Sequence, residues 1–208
     1  MNIAFFDFDG TITSNDNYTD FMIYSSGIIR KLIIAPFLLV LYVFYRTGFL
    51  SPAKTRTAVS FLSYSFRREN VIREAGARYA VSGVKILPSA AEQISRHRSR
   101  GDRIVIVSAS LNVYLEPWAE NIGADLICTR LESKNGLMTG LYVSGDCSGK
   151  RKAASIAERY VLKNYGKIYV YGDTREDREM MELGNIVYYR WKRIRKKDIS
   201  LIAGDKQN

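Results

Sequence analysis

The chain is poor in the residues that most often build reactive centres around nitrogen and sulfur. Among 208 residues there is one histidine, His97, and there are two cysteines, Cys128 and Cys147. A zinc site normally needs several His or Cys ligands, and the two cysteines lack metal-ligand spacing. A Ser-His-Asp triad would have to use His97. That residue stands in the basic polar run "SRHRSRG" and is expected on the exposed surface. Two cysteines give no disulfide framework, which points to a reducing compartment. No basic segment precedes the first apolar residues, and that stretch carries Asp7 and Asp9, so it does not read as a secretory signal. No internal repeat or low-complexity linker is evident. Chemistry is left to carboxylates, hydroxyls and lysine.

Basic charge is not scarce. The formal net charge is +10, which favours anionic partners such as phosphorylated metabolites, anionic lipid headgroups or nucleic acid. With 47% hydrophobic residues, the chain can bury one sizeable core and a smaller second unit.

Short apolar runs alternate with helical patterns. "NIAFF" reads as a strand ending at Asp7. "RIVIV" (103–107) ends at Ser108, and "KIYVY" (167–171) ends at Gly172-Asp173. "DLICT" and "NIVYY" are weaker strand candidates. Continuous apolar runs suit parallel strands buried on both faces. Between them, "PSAAEQISRHRSRG" places Ser89 and Glu92 in capping-box spacing and stops at Gly101. "LNVYLEPWAENIG", interrupted by Pro117, "KRKAASIAERYVLKNYG" and "EDREMMELG" also read as helices. Asn135-Gly136 inside "ESKNGLMTGLYVSGD" predicts a hairpin. The alternation implies an α/β fold, a doubly wound, mostly parallel sheet. Residues 15–87 show no clear strand and read as an inserted helical unit, which leaves 1–14 and 88–208 as a discontinuous core.

In open parallel sheets ligands bind beyond the carboxyl ends of the strands. Asp7 and Asp9, Ser108, and Asp173 followed by Asp177 all belong to that rim. Clustered carboxylates repel one another and call for a cation, and an all-oxygen set suits Mg²⁺. Ser108 offers a hydroxyl to phosphate oxygens. A lysine opening the "KRKAAS" helix would add positive charge where a helix N-terminus already favours anions. Metal, carboxylate, hydroxyl and lysine together describe phosphoryl transfer, with a carboxylate able to act as nucleophile.

"DFDGT", Ser108 after its apolar strand, a helix-opening lysine and "GDTRED", in that order, resemble the four motifs of the haloacid dehalogenase superfamily. "SASLNVYLEPWAENIGADLICTRLE", the "NGLMTG" hairpin and Cys147-x-Gly149-x-x-Lys152 further resemble its phosphoserine-phosphatase-like branch. The resemblance implies a Rossmann-like core with a helical cap at 15–87 that selects the substrate. It implies a phosphatase in which Asp7 attacks phosphorus and Asp9 is general acid and then base. Mg²⁺ would be held by Asp7, the Asp9 carbonyl and Asp173, with Asp177 in support. Thr11, Ser108 and Lys152 would bind the phosphoryl group. Lys152 is preferred to Lys150 on the branch spacing.

The substrate is less legible. Where phosphoserine phosphatases carry a glutamate nine residues after the nucleophile, this chain has Asp16, which reads equally as a pocket residue and as a helix N-cap. Where they follow the second-motif serine with Gly-Gly, it has Ala109-Ser110. Both departures argue against phosphoserine, and a small phosphorylated metabolite is the leading expectation. The apolar stretch 32–45, flanked by Arg30-Lys31 and Arg46, is short for a membrane span of about 20 residues. It is expected as a buried cap helix, with an interfacial segment as the rival reading. That segment and Asp16 also resemble bacterial phosphatidylglycerophosphatases of the same superfamily, which makes a lipid phosphomonoester the alternative substrate. The basic aromatic run "YYRWKRIRKK" (188–197) could meet an anionic membrane surface, and its plainer reading is a solvated end. Nucleic acid is not favoured as a partner, though an inactive fold binding lipid or nucleic acid stays as a contrasting class. The expected location is cytoplasmic, peripheral on the inner membrane face if the apolar stretch meets lipid. Oligomeric state is not legible.

Overall fold

The structure is a computed structural model that describes residues 1–204. Its centre is a six-stranded sheet: β1 (Ile3–Phe6), β2 (Arg103–Leu111), β3 (Asp125–Thr129), β6 (Ile168–Gly172), β7 (Ile186–Tyr189) and β8 (Lys192–Ile194). The spatial order is β3-β2-β1-β6-β7-β8, all parallel except the edge strand β8. Strand order reverses at β1. The chain winds outward to β2 and β3 on one side and to β6 and β7 on the other, so a crevice opens at the carboxyl end of β1. A separate hairpin, β4 (Leu131–Lys134) and β5 (Leu137–Tyr142), turns on Asn135 and Gly136. Both turn residues have positive φ (52° and 74°), the conformation that Asn-Gly supplies cheaply.

Each central strand buries both faces. In β1, Ala4 and Phe6 join one apolar cluster, and Ile3 and Phe5 the other. Ile104 and Ile106 against Val105 and Val107 repeat the pattern in β2, and Tyr169 and Tyr171 against Ile168 and Val170 repeat it in β6. This two-sided burial is why these strands read as unbroken apolar runs. Paired positions stack across the sheet: the rings of Phe6, Tyr171 and Tyr188 lie nearly parallel, with centroids 4.3 and 4.7 Å apart. The first cluster is covered by α5 (Pro88–Ser99) and α6 (Asn112–Asn121), the second by α7 (Lys150–Arg159) and α8 (Arg178–Glu182).

Four helices precede α5: α1 (Asn17–Ser25), α2 (Ile28–Arg46), α3 (Pro52–Tyr64) and α4 (Glu69–Ser82). The chain leaves the sheet region at Thr13 and returns at Ile86, where the two residues bridge and Leu87 N–H donates to Ile12 O at 2.9 Å. Phe21, Tyr64, Ile72 and Tyr79 from these helices share the first cluster with Tyr114 and Trp118 of α6. Helices α4 and α6 meet closely at Gly76, where a Cβ would stand 2.1 Å from the Val113 carbonyl oxygen. Pro117, four residues on, has no N–H for that carbonyl, and α6 runs through it unbroken.

Several expectations need correction. His97 is fully buried, not exposed. It falls on the inner face of α5 with Ala90 and Ile94, in i, i+4, i+7 register. Its ring bridges Asp102 Oδ2 (2.8 Å) and the Tyr171 hydroxyl (2.9 Å), and burial pulls its pKa down. Ser89 is no cap: α5 opens on Pro88 with Leu87 as an N-cap that makes no side-chain bond. Helix α7 ends at Arg159, and "LKN" forms a separate 3₁₀ turn. The run 188–197 is partly sheet, since β8 pairs with β7 across a turn at Arg190 and Trp191. Finally, stretch 32–45 is not buried: within α2 only Ile34 is.

Candidate active site

The four sequence motifs meet at the carboxyl ends of β1 and β6, at Ser108 inside β2, which runs on to Leu111 past the expected end, and at the first turn of α7. Asp7 follows β1 directly and its N–H donates to Tyr171 O at 2.9 Å, which fixes it to the rim. Its side chain is buried, as is that of Asp177. Carboxylate oxygens of Asp7, Asp173 and Asp177 lie within 4.8 Å of one another. Burial first, then the charge of Asp177, holds the Asp7 carboxyl well above the usual carboxylate range, with Lys152 acting in the opposite direction. Burial and Asp177 raise Asp173 as well. Three carboxylates crowded in this way form an all-oxygen donor set suited to a divalent cation.

Lys152 enters this cluster from the first turn of α7. Its Nζ donates to Asp7 Oδ1 (2.5 Å) and Asp177 Oδ1 (2.6 Å). Burial works against its charge, but Asp177 and Asp7 more than offset that and keep the ammonium protonated. Lys150 and Arg151 are exposed on the same turn. Asp177 Oδ2 accepts from the N–H groups of Asp173 and Thr174 (3.2 and 3.1 Å), so it also shapes the loop after β6. Gly10 is required in front of Asp173: its φ is +79°, and a Cβ there would lie 2.2 Å from Asp173 Oδ2.

Residues 4–182 match the haloacid dehalogenase-like hydrolase family. The chain belongs to this family. It is 31% identical over 194 residues to Protein CicA of Caulobacter vibrioides, covering 89% of this chain and 84% of that one. A protein of unknown function from Bordetella pertussis Tohama I superposes with TM-score 0.73 at 16% identity, covering 90% and 89% of the two chains. A substrate-bound phosphoserine phosphatase gives TM-score 0.65 at 16% identity, covering 89% and 84%. At such identities these structures share the fold of this haloacid dehalogenase-type hydrolase.

Beside Asp7, the second acid of "DFDGT" is held by a hydrogen-bond network. Asp9 Oδ1 accepts from Asn17 N–H and Nδ2, both at 2.8 Å, and Asp9 Oδ2 accepts from the Ser110 hydroxyl. Asn17 Oδ1 in turn accepts from Tyr79 OH at 3.1 Å. Burial pushes the Asp9 pKa up to about 6, against the bonds from Ser110 and Asn17 that favour its charged form. Ser108 is buried and faces the same cavity, where its hydroxyl accepts from Ser110 N–H at 3.0 Å. Thr11 is buried beneath, and its hydroxyl donates to Asp173 at 3.0 Å.

The cavity above these groups measures about 700 Å³. Its floor includes Asp7, Asp9, Ser108 and Lys152; its far wall is apolar and comes from α1, α2 and α3, including Met22, Leu38, Leu41, Tyr45 and Val59. Asp16 occupies two positions at once. It caps α1, accepting from Thr19 N–H (3.2 Å) and hydroxyl (2.6 Å), and it stands on the cavity rim. Sequence reasoning missed Arg56. Its guanidinium binds Asp146 (2.7 and 3.0 Å) and Glu176 (3.1 Å), tying α3 to the segment before α7 and to the turn after Asp173. An arginine in a polar helix gives no hint of distant carboxylate partners. Asn17 was within reach, one residue beyond Asp16 and four beyond Thr13.

Proposed function

We propose that the protein is a magnesium-dependent phosphomonoester hydrolase that carries the phosphoryl group on Asp7. The observation behind this reading is the position of the Asp7 carboxylate. It is buried at the sheet's switch point, faces the cavity, is paired to Lys152 and lies within 4.8 Å of two more carboxylates.

Three converging carboxylates and the nearby Asp9 carbonyl form an all-oxygen donor set that fits Mg²⁺. Asp7, the Asp9 carbonyl and Asp173 would hold the ion, with Asp177 behind them, and it would neutralise charge on the phosphoryl oxygens. An Asp7 oxygen attacks phosphorus, and the bond from phosphorus to the ester oxygen breaks. Asp9, whose pKa burial raises to about 6, gives its proton to the departing alkoxide. Lys152 and Ser108 hold the transferred oxygens, and Thr11 steadies Asp173. Asp9, now a carboxylate, takes a proton from water as that water attacks phosphorus. The bond to Asp7 then breaks, releasing inorganic phosphate. Helices α1–α4 act as the cap that selects the leaving group, with Asp16 at its polar edge.

A second reading of the leaving group, a lipid phosphomonoester in place of a small soluble metabolite, is favoured by the apolar far wall of the cavity. The test is a panel of phosphomonoesters, phosphoserine and phosphatidylglycerophosphate among them, assayed with and without Mg²⁺. Metal-dependent release of phosphate, lost by several orders of magnitude in Asp7→Asn, supports the reading. Near-wild-type turnover in that variant refutes it.

A further inference from the structure

Helix α2 is built for an apolar surrounding. Among the described residues it is the helix long and apolar enough to cross a membrane by length and composition. Ile34, Leu38, Leu41 and Tyr45, at i, i+4, i+7 and i+11, face the protein. Ile34 is buried and the other three line the cavity. The outward arc is just as apolar. Leu32, Ile33, Leu39, Val40, Val43 and Phe44 are all exposed, Leu32 at 69% and Leu39 at 65%. An ordinary surface helix is polar on its outer face; one that is apolar all round belongs out of water.

We propose that α2 lies flat in one leaflet of an anionic bilayer and docks the protein there. The helix is about 28 Å long, enough to cross the hydrocarbon layer. Its connections forbid a crossing. Arg30, in its first turn, donates to Leu62 O (3.2 and 2.8 Å) and Ser65 O (3.0 Å), at the far end of α3. Thus α3 returns alongside α2, antiparallel. That helix carries Lys54 and Arg56 and packs on the β4–β5 hairpin. Both ends of α2 stay on one side of the membrane.

Two further features mark the same face. Phe49 (81% exposed) and Phe66 (83%) flank the helix hairpin at opposite ends. A groove of about 720 Å³ between α2 and α3, lined by Phe37, Val40, Phe61 and Leu62, shares Leu41 with the active-site cavity. Charge selects lipid over a second copy of the chain. Lys31, Arg46 and Lys54 border the patch on a protein of net charge +10. Two such rims would repel across a dimer, whereas anionic headgroups attract them. Delivery of a lipid phosphomonoester through this face rests on the hydrolase reading; the docking itself does not.

The test is sedimentation of the full chain with vesicles of phosphatidylcholine alone or with one-third phosphatidylglycerol. Binding is expected to the anionic vesicles, weakened several-fold by salt and not abolished, because salt screens charge and leaves apolar insertion. Leu32→Asp/Leu39→Asp should lose at least tenfold in vesicle affinity and keep its circular dichroism and its activity on a soluble ester. Asp7→Asn should bind vesicles like wild type, which separates docking from catalysis. Tryptophan introduced singly as Leu32→Trp and Val43→Trp should be quenched by brominated lipids at the same depth. A spanning helix would place them roughly 16 Å apart along its axis. Unequal depths, a wild type that ignores anionic vesicles, or a dimer that the double aspartate variant dissociates would each overturn the proposal.

Discussion

The strand rim and helix α2 break opposite rules of burial. At the rim, charge is kept dry: Asp7, Asp177 and Lys152 are buried, and each is tied to another. On α2, apolar surface is kept exposed, with one large side chain buried in nineteen residues. The first departure is stabilised internally, by pairing of opposite charges at 2.5 and 2.6 Å. The second has nothing among the described residues to cover it. The buried charge cluster carries the chemistry proposed above for a small cation, and the exposed apolar helix carries the docking proposed for a bilayer.

The comparison can be broken at either end, and the largest effect is expected at the rim. Asp9→Asn keeps the backbone carbonyl and loses the proton donor, so hydrolysis should slow by about 10² to 10⁴. With a nitrophenyl ester, whose leaving group needs no proton, formation of the phosphoenzyme should slow far less than its breakdown. Single-turnover kinetics that show both steps equally slowed would contradict the role given to Asp9. Lys152→Ala should cost about 10² to 10³ in rate, and it should also lower the melting temperature, because it strands buried carboxylates. Lys150→Ala, on the same turn and exposed, should change neither. The reverse ranking would remove Lys152 from the site.

On α2 the contrast is positional. Ile34→Asp buries a charge and should destabilise the fold by several kcal/mol. Leu32→Asp, two residues earlier and exposed, should shift chemical denaturation by well under 1 kcal/mol. Equal destabilisation would mean that α2 is covered within the folded chain after all.

The smallest effect concerns the network behind Asp9. Asn17 donates two hydrogen bonds to the charged form of Asp9, which holds its pKa down. Asn17→Ala should raise that pKa above about 6. The proton donor then persists to higher pH, so the alkaline limb of phosphoenzyme formation should move upward, with a loss of up to about tenfold at the optimum. An unmoved limb would make Asn17 a packing residue only.

What was legible in the sequence follows the same division. Parallel strands buried on both faces announce themselves as unbroken apolar runs, and polar residues placed just past them read as a rim. That pattern alone puts Asp7, Asp9, Ser108 and Asp173 on one edge. His97 was misread because its neighbours in sequence are basic, while its neighbours on the helix face are Ala90 and Ile94. Strand β8 was missed because Arg190 and Trp191 make a positive-φ turn without the glycine or asparagine that usually signals one. Ser110 and Arg56 were silent for a common reason. Their roles are fixed by partners up to 120 residues away, as in the pair Arg56–Glu176. The stretch 32–45 stood out by composition. Composition alone cannot say whether an apolar helix is covered or exposed; the structure leaves this one exposed.

One measurement bears most directly on the claim that chemistry resides at the strand rim on Asp7. The protein is mixed with a ³²P-labelled phosphomonoester and Mg²⁺, quenched in acid within a turnover, and digested. The label is expected on the peptide containing Asp7, removable by hydroxylamine as an acyl phosphate should be, and missing from Asp7→Asn. Turnover with label on a different peptide, or undiminished labelling of Asp7→Asn, would contradict the account.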